Sequence, residues 1–200
     1  MTTAGRATGA PAAVLLAPGA GADRNQTALV AIEEVLVPAG LAVRRMDFPY
    51  RKAGRRAPDR EPVLLRAVIE EAQALAAEAG CPPEAIAMGG RSMGGRMCSI
   101  AVADGLPGAA LILISYPLHP PGRPDRLRTE HFPRLLLPCL FLSGTRDAFG
   151  TPEELTAATA AIPGAVTHRW IEGRDHGLRG CDAAVAEAVR MFVTGLGPPG

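Results

Sequence analysis

Ala85-Ile86-Ala87-Met88-Gly89-Gly90-Arg91-Ser92-Met93-Gly94-Gly95 (AIAMGGRSMGG, 85–95) is the stretch on which the fold turns. A short apolar run leads straight into the G-x-S-x-G pattern of Gly90 to Gly94, and Met97, Cys98, Ile100, Ala101 and Val102 continue as a buried helix towards Gly105. Strand, sharp turn and helix is the setting in which that pattern reads as a nucleophile elbow. The turn forces unusual backbone angles on the serine, and a glycine two residues to either side lets neighbouring backbone approach without a Cβ. Ser92 then projects its hydroxyl at a helix N-terminus, where unpaired N–H groups favour developing negative charge. The other readings are a glycine-rich turn with an incidental serine and a phosphate-cradling loop. Against the latter, the chain has no G-K-[ST] and no G-x-G-x-x-G after its first strand.

Outward from this point, strand-like and helical runs alternate along the whole chain, the pattern of βαβ units and a parallel sheet. Ala13 to Ala17 (AVLLA) is a continuous apolar run closed by Pro18-Gly19-Ala20-Gly21, as expected of a strand buried on both faces. A helix over Asn25 to Ala39 and a strand over Leu41 to Phe48 follow, then an arginine-rich stretch between Pro49 and Pro62 without apolar periodicity, read as a loop. Val63 to Ala79 is helical, with Pro62 in its first turn. Ala109 to Tyr116 and Pro138 to Ser143 are interior strands separated by the long proline- and arginine-rich segment Pro117 to Pro133. Thr151-Pro152-Glu153-Glu154 is a capping box opening a helix that ends near Pro163. Val166 to Ile171 is the last strand, and Asp182 to Thr194 the last helix.

Length and charge narrow the classes. Two hundred residues match one domain, taken as 1–200 with 1–11 and 196–200 frayed. Lysine plus arginine at 21 against aspartate plus glutamate at 20 leaves a net charge of +1, far from the excess that drives nucleic-acid or anionic-membrane binding. The apolar run after Arg6 faintly resembles a signal peptide but stops at Pro18, and no other stretch approaches a membrane span, so the chain is expected to be soluble and cytoplasmic. Cys81, Cys98, Cys139 and Cys181 form no C-x-x-C pair, so no zinc site or other cofactor is expected. Cys98 and Cys139 read as buried small hydrophobes.

A serine hydroxyl needs a base to take its proton and a carboxylate to orient that base. Here the elbow requires the order serine, acid, histidine, each just beyond a strand end. His168 lies within the last strand, and His119 and His131 belong to the long segment, whereas His176 follows the last strand in Glu172-Gly173-Arg174-Asp175-His176-Gly177. His176 is therefore the expected base. Asp147, after Leu140 to Arg146, is the expected acid, with Asp175 as a competitor too near His176 in sequence to orient its ring easily. The expected oxyanion donors are the N–H of Met93 and, from the loop after the first strand, that of Ala20, with Gly21 as second choice. Arg91, Tyr116 and His119 are the candidate substrate contacts. Arg51, Arg55, Arg56, Arg91, Arg96 and the arginines at 123, 126 and 128 either surround the mouth, favouring small anionic or polar acyl substrates, or are simply solvated.

With these residues in order, the sequence resembles the α/β-hydrolase superfamily, and within it the small dienelactone-hydrolase-like group. Its relatives include testis-expressed hydrolase-like proteins and the hydrolase-like domain of a histone acetyltransferase complex subunit. The pieces that carry the resemblance are APGAGAD (17–23), MDFPYR (46–51), GGRSMGGR (89–96), SYPLHPPGRPDRLRTEHF (115–132), LSGTRDAFGTPEEL (142–155) and GRDHGL (173–178). The resemblance implies a three-layer αβα sandwich of about six mostly parallel strands, a minimal α/β-hydrolase without a cap domain, with Ser92, Asp147 and His176 as the triad. The group's oxyanion loop usually begins His-Gly where this chain has Pro18-Gly19, and dienelactone hydrolases use a cysteine where it has Ser92. The expected function is a serine hydrolase of small carboxylic esters or thioesters. The alternatives are a catalytically silent scaffold of the same fold and acyl transfer to an acceptor other than water.

Overall fold

The computed structural model describes residues 10–196, so the stretches expected to fray lie outside it except for Ala10, Pro11 and Leu196. Six parallel strands form one sheet: β1 (Ala13–Ala17), β2 (Ala42–Arg45), β3 (Ile86–Arg91), β4 (Ala110–Ile114), β5 (Cys139–Gly144) and β6 (Val166–Ile171). Their spatial order is β2-β1-β3-β4-β5-β6. The chain runs from β1 outward to β2, then crosses back to place β3 on the other side of β1. Order therefore reverses between β1 and β3, and in open α/β sheets the crevice at the carboxyl ends of such strands is where ligands bind.

Burial explains the strands. Every residue of β1, β3, β4 and β5 is buried, whereas β2 and β6, the sheet edges, are half-buried. Leu111, Ile112, Leu113 and Ile114 of β4 are fully enclosed at 0% exposure, each worth about 1.5–3 kcal/mol of transfer free energy. One face of the sheet carries α1 (Thr27–Leu36) and the last helix, α6 (Asp182–Thr194). Leu29, Ile32 and Leu36 meet Val185, Val189 and Val193 there, over Val14, Leu16 and Ile112. The other face carries α3 (Glu61–Ala79), α4 (Met93–Ala103) and α5 (Pro152–Thr159), whose Leu64, Val68, Leu75, Met97 and Leu155 close a second core over Leu15, Met88 and Phe141. This is the three-layer αβα sandwich that the resemblance implied, on the parallel sheet that the alternation implied. Its helices lie close to the expected stretches of sequence, and α5 opens with the expected capping box: Glu154 N–H donates to Thr151 Oγ1 (3.2 Å) and Thr151 N–H to Glu154 Oε2 (2.8 Å).

Two departures from the sequence reading matter for the site. The stretch after Pro49 begins not as a loop but as α2 (Pro49–Lys52), a single turn whose Tyr50 is fully buried and stacks near Phe48. One turn is too short to show a helical period, so only Pro49 at the first position hinted at it. And β3 does not stop at Met88 but runs through Gly89 and Gly90 to Arg91. Gly90 adopts φ 146° and lies so close to β1 that a Cβ there would overlap the Ala17 carbonyl, and the same carbonyl blocks a Cβ at Gly94. These glycines bring the end of β1 and the turn after β3 into contact.

Candidate active site

Ser92 sits between β3 and α4 with φ 49° and ψ −114°, a conformation that L-residues rarely adopt. Its N–H donates to the Ile114 carbonyl (2.8 Å), and its own carbonyl accepts the Arg96 N–H (3.0 Å), so both neighbours hold the strained turn in place. The hydroxyl points into a cleft of about 470 Å³ whose walls include Gly19, Ala20, Met93 and His176.

The loops after β5 and β6 are joined to each other. Thr145 N–H donates to the Ile171 carbonyl (3.1 Å), Arg146 N–H to the Arg174 carbonyl (2.8 Å), and Gly173 N–H to Thr145 Oγ1 (2.9 Å). That pairing sets Asp147 against His176. His176 Nδ1 lies 2.8 Å from Asp147 Oδ2 and 3.0 Å from Oδ1, and His176 Nε2 lies 3.0 Å from Ser92 Oγ. An ionised carboxylate can only accept, so Nδ1 carries the proton and Nε2 is left to accept from the serine hydroxyl. Asp147 is buried at 3% exposure and also accepts the Phe149 N–H (2.8 Å). Asp175 points elsewhere: its Oδ1 accepts the Gly177 N–H (2.8 Å) and braces the histidine loop. Phe149 also covers the imidazole, with ring centroids 4.0 Å apart.

The loop after β1 is clamped on both sides of Ala20. Gly19 N–H donates to Gln26 Oε1 (3.0 Å) and Gly21 N–H to Tyr50 Oη (3.0 Å). The N–H of Gly21, the second choice for an oxyanion donor, is thus engaged by the buried tyrosine of α2. The N–H groups of Ala20 and of Met93, the first residue of α4, have no partner among the described residues. Gln26 immediately precedes α1 but does not cap it, because its amide serves Gly19 instead.

Of the candidate substrate contacts, only Arg91 lines the cleft. It is 7% exposed, burial lowers its pKa, and its Nη2 donates to the His176 carbonyl. Tyr116 and His119 are not brought there. Tyr116 is 1% exposed, packed against Phe132 and Phe141, with Oη donating to the Arg128 carbonyl (2.6 Å); burial pushes its pKa well above that of a free phenol. His119 is buried with Nδ1 at the Pro120 carbonyl (2.8 Å) and Nε2 3.4 Å from Glu154 Oε2. Both follow a strand end, but the chain turns them under the long segment rather than over the mouth. Gln26, Phe149 and Tyr50 had no role assigned from the sequence, although Tyr50 and Phe149 fall inside stretches that carry the family resemblance, and their roles rest on contacts the fold brings together.

Burial pushes the Cys98 and Cys139 thiols up to about 12, which keeps them protonated and inert, as apolar packing groups should be. No three His, Cys, Asp or Glu side chains among the described residues cluster to hold a metal, and no described helix is long and apolar enough to cross a membrane.

An open parallel sheet with a strained serine at a strand-to-helix turn, in hydrogen-bond reach of a histidine and a carboxylate from the next loops, defines a protein of the α/β-hydrolase class. Residues 10–188 match the family model of the alpha/beta hydrolase domain, and the chain belongs to that family. The fold is shared with solved structures. A dienelactone hydrolase from Anabaena variabilis is 20% identical, with a TM-score of 0.73 over 94% of this chain and 87% of its own. Est1E from Butyrivibrio proteoclasticus is 17% identical, with a TM-score of 0.75 over 94% and 89%. XC6422 from Xanthomonas campestris, described as an a/b serine hydrolase without a lid, is 17% identical, with a TM-score of 0.73 over 94% and 83%.

Proposed function

We propose that the protein is a serine hydrolase of small carboxylic esters or thioesters, with Ser92 as nucleophile, His176 as general base and acid, and Asp147 as the carboxylate that holds the imidazole. The observation that carries this reading is the unbroken chain Ser92 Oγ, His176 Nε2, His176 Nδ1, Asp147 Oδ2, at 3.0 and 2.8 Å, opening into a cleft. Ser92 Oγ attacks the acyl carbon while its proton passes to His176 Nε2, and the carbonyl oxygen becomes an oxyanion between the Ala20 and Met93 N–H groups. Collapse breaks the bond to the leaving oxygen or sulfur, which takes the proton from the imidazolium. Water then attacks the acyl-serine with His176 as base, releasing the carboxylic acid and restoring the serine hydroxyl.

A fluorophosphonate probe tests the assignment. Wild-type protein is expected to be labelled at Ser92 as strongly as an active serine esterase, and Ser92→Ala not at all. Equal labelling of the two, or none of either, overturns the proposal and leaves a silent scaffold of the same fold.

A further inference from the structure

The cleft in front of Ser92 contains more positive charge than the protein neutralises. Arg91, Arg96 and Arg128 all line it. Arg96 Nη2 reaches Glu61 Oε2 (3.0 Å), and Arg91 is engaged by the His176 carbonyl, but Arg128 has no carboxylate within ion-pair distance among the described residues. Its neighbours in sequence, from Pro121 to Leu127, are exposed, whereas Arg128 is half-buried. It is also held in place. Its N–H donates to the Leu118 carbonyl (2.8 Å), its carbonyl accepts Tyr116 Oη (2.6 Å), and its Nη1 donates to the Pro117 carbonyl (3.3 Å). Burial, followed by the charge of Arg96 beside it, lowers its pKa. Two guanidinium groups drawn together in a partly desolvated cleft repel each other, so an anion between them relieves a strain that water relieves only in part.

We propose that Arg96 and Arg128 form a carboxylate subsite, so that the preferred substrate is a small ester or thioester whose acyl chain carries a second, free carboxylate. The reading rests on Ser92 as nucleophile. Arg96 lies four residues beyond Ser92, its N–H bonds to the Ser92 carbonyl, and Ser92, Arg96 and Arg128 line one cleft. A short acyl chain therefore bridges the scissile carbonyl and the arginines, and a planar guanidinium matches a carboxylate with two parallel N–H donors. Phe149 and Pro117 supply apolar walls for the methylenes between.

The test compares monoethyl glutarate with ethyl valerate, which has the same five-carbon acyl chain without the charge. Wild-type kcat/KM is expected to favour the glutarate ester by about 10- to 100-fold, the range of a hydrogen bond to a charged group. Arg128→Met is expected to bring that ratio close to one, Arg128→Lys to restore part of it, and rising salt to erode the wild-type preference. A ratio near one in the wild type, or a ratio that Arg128→Met leaves intact, overturns the subsite while leaving the Ser92 assignment standing. Should neither ester turn over and the fluorophosphonate fail to label, the hydrolase reading falls, and the subsite is judged separately. Glutarate is expected to raise the Tm of Ser92→Ala protein, and not that of the Ser92→Ala, Arg128→Met double variant. No shift, or the same shift in both, overturns it.

Discussion

Two serine–histidine pairs are built on the same helix, and they differ in nearly everything except distance. Ser92, at the N-terminus of α4, lies 3.0 Å from His176 Nε2, and Ser99, two turns further along, lies 2.8 Å from His131 Nε2. Behind His176 stands Asp147, and in front of Ser92 is a cleft. Ser99 is wholly buried, His131 is 4% exposed, and the Ser99 hydroxyl donates to the Arg96 carbonyl (2.9 Å). Burial, together with Arg96 and Arg134, pulls His131 down to about 4, so it stays neutral near pH 7 and has no tendency to take up a proton. Proximity of a hydroxyl to an imidazole thus marks two unlike devices. One, in the function proposed above, moves a proton at a surface cleft, and the other pins the segment 117–133 onto α4.

The largest expected effect comes from deleting one hydroxyl at a time. Ser92→Ala should lower ester turnover towards the roughly 10⁶-fold of a lost triad serine, while Ser99→Ala should change turnover by less than about threefold. Ser99→Ala should instead show up in denaturant unfolding, because it removes a buried partner from His131 at a cost of about 1–3 kcal/mol. Steady-state kinetics and urea titration of both variants decide it. If Ser99→Ala abolished turnover with stability intact, the distinction between the pairs would be wrong.

The carboxylate behind only one of the pairs gives the next effect. Asp147→Asn offers Nδ1 of His176 a donor as well as an acceptor, so the imidazole can settle in the tautomer that no longer accepts from Ser92, and kcat should fall by about 10⁴-fold. Asp175→Asn keeps an oxygen for the Gly177 N–H and should cost less than about threefold. Comparable losses in the two variants would return the acid assignment to Asp175.

How much of this was legible in the sequence follows from the range of each interaction. The strand-to-helix elbow is local: Gly90, Ser92 and Gly94 lie within five residues, and apolar runs on both sides declare the strand and the helix. The chain order of Ser92, Asp147 and His176 is equally legible, because each comes just after a strand-like run in the βαβ alternation. Tyr116 and His119 obeyed the same rule and yet turned inward, since a position after a strand end does not say which way the next turn carries the side chain. Tyr50 and Gln26 were out of reach for a different reason. A buried tyrosine on a single helical turn and a glutamine before a helix look ordinary, and only the contact with Gly21 and Gly19, 29 and 7 residues away in sequence, gives them a role.

Those two contacts yield a smaller effect than the carboxylate. With the Gly19 and Gly21 N–H groups engaged, Ala20 has the N–H left in this loop for the proposed oxyanion contact. Releasing either clamp should loosen that donor without removing it. Losing one donor outright costs about 10²–10³ in kcat, so Gln26→Ala and Tyr50→Phe should each cost nearer 10-fold, in kcat rather than KM. Tyr50→Phe is the cleaner variant because it keeps the buried ring against Phe48 and deletes only the acceptor. A rise in KM with unchanged kcat would indicate that the loop contacts the ground-state substrate rather than the oxyanion.

The smallest effect concerns the buried pair and is read in stability. The pKa of His131 is about 4 in the folded protein, below its ordinary value of 6.5, so between these two pH values the unfolded chain binds more protons than the folded one. The stability that neutral His131 supports is therefore complete above about pH 6.5 and is lost as pH falls towards 4. After allowance for screening, the loss between pH 7 and pH 5 is on the order of 1 kcal/mol. His168, also lowered by burial, acts in the same direction, so the measurement is the difference in urea-unfolding free energy between the two pH values for wild type minus that for His131→Gln. The variant should have the shallower dependence, by about that amount. If both proteins lost stability equally, His131 would already be protonated in the folded state. It would then carry a proton on both ring nitrogens, and the buried pair would owe its inertness to lack of access alone, with the depressed pKa not needed to explain it.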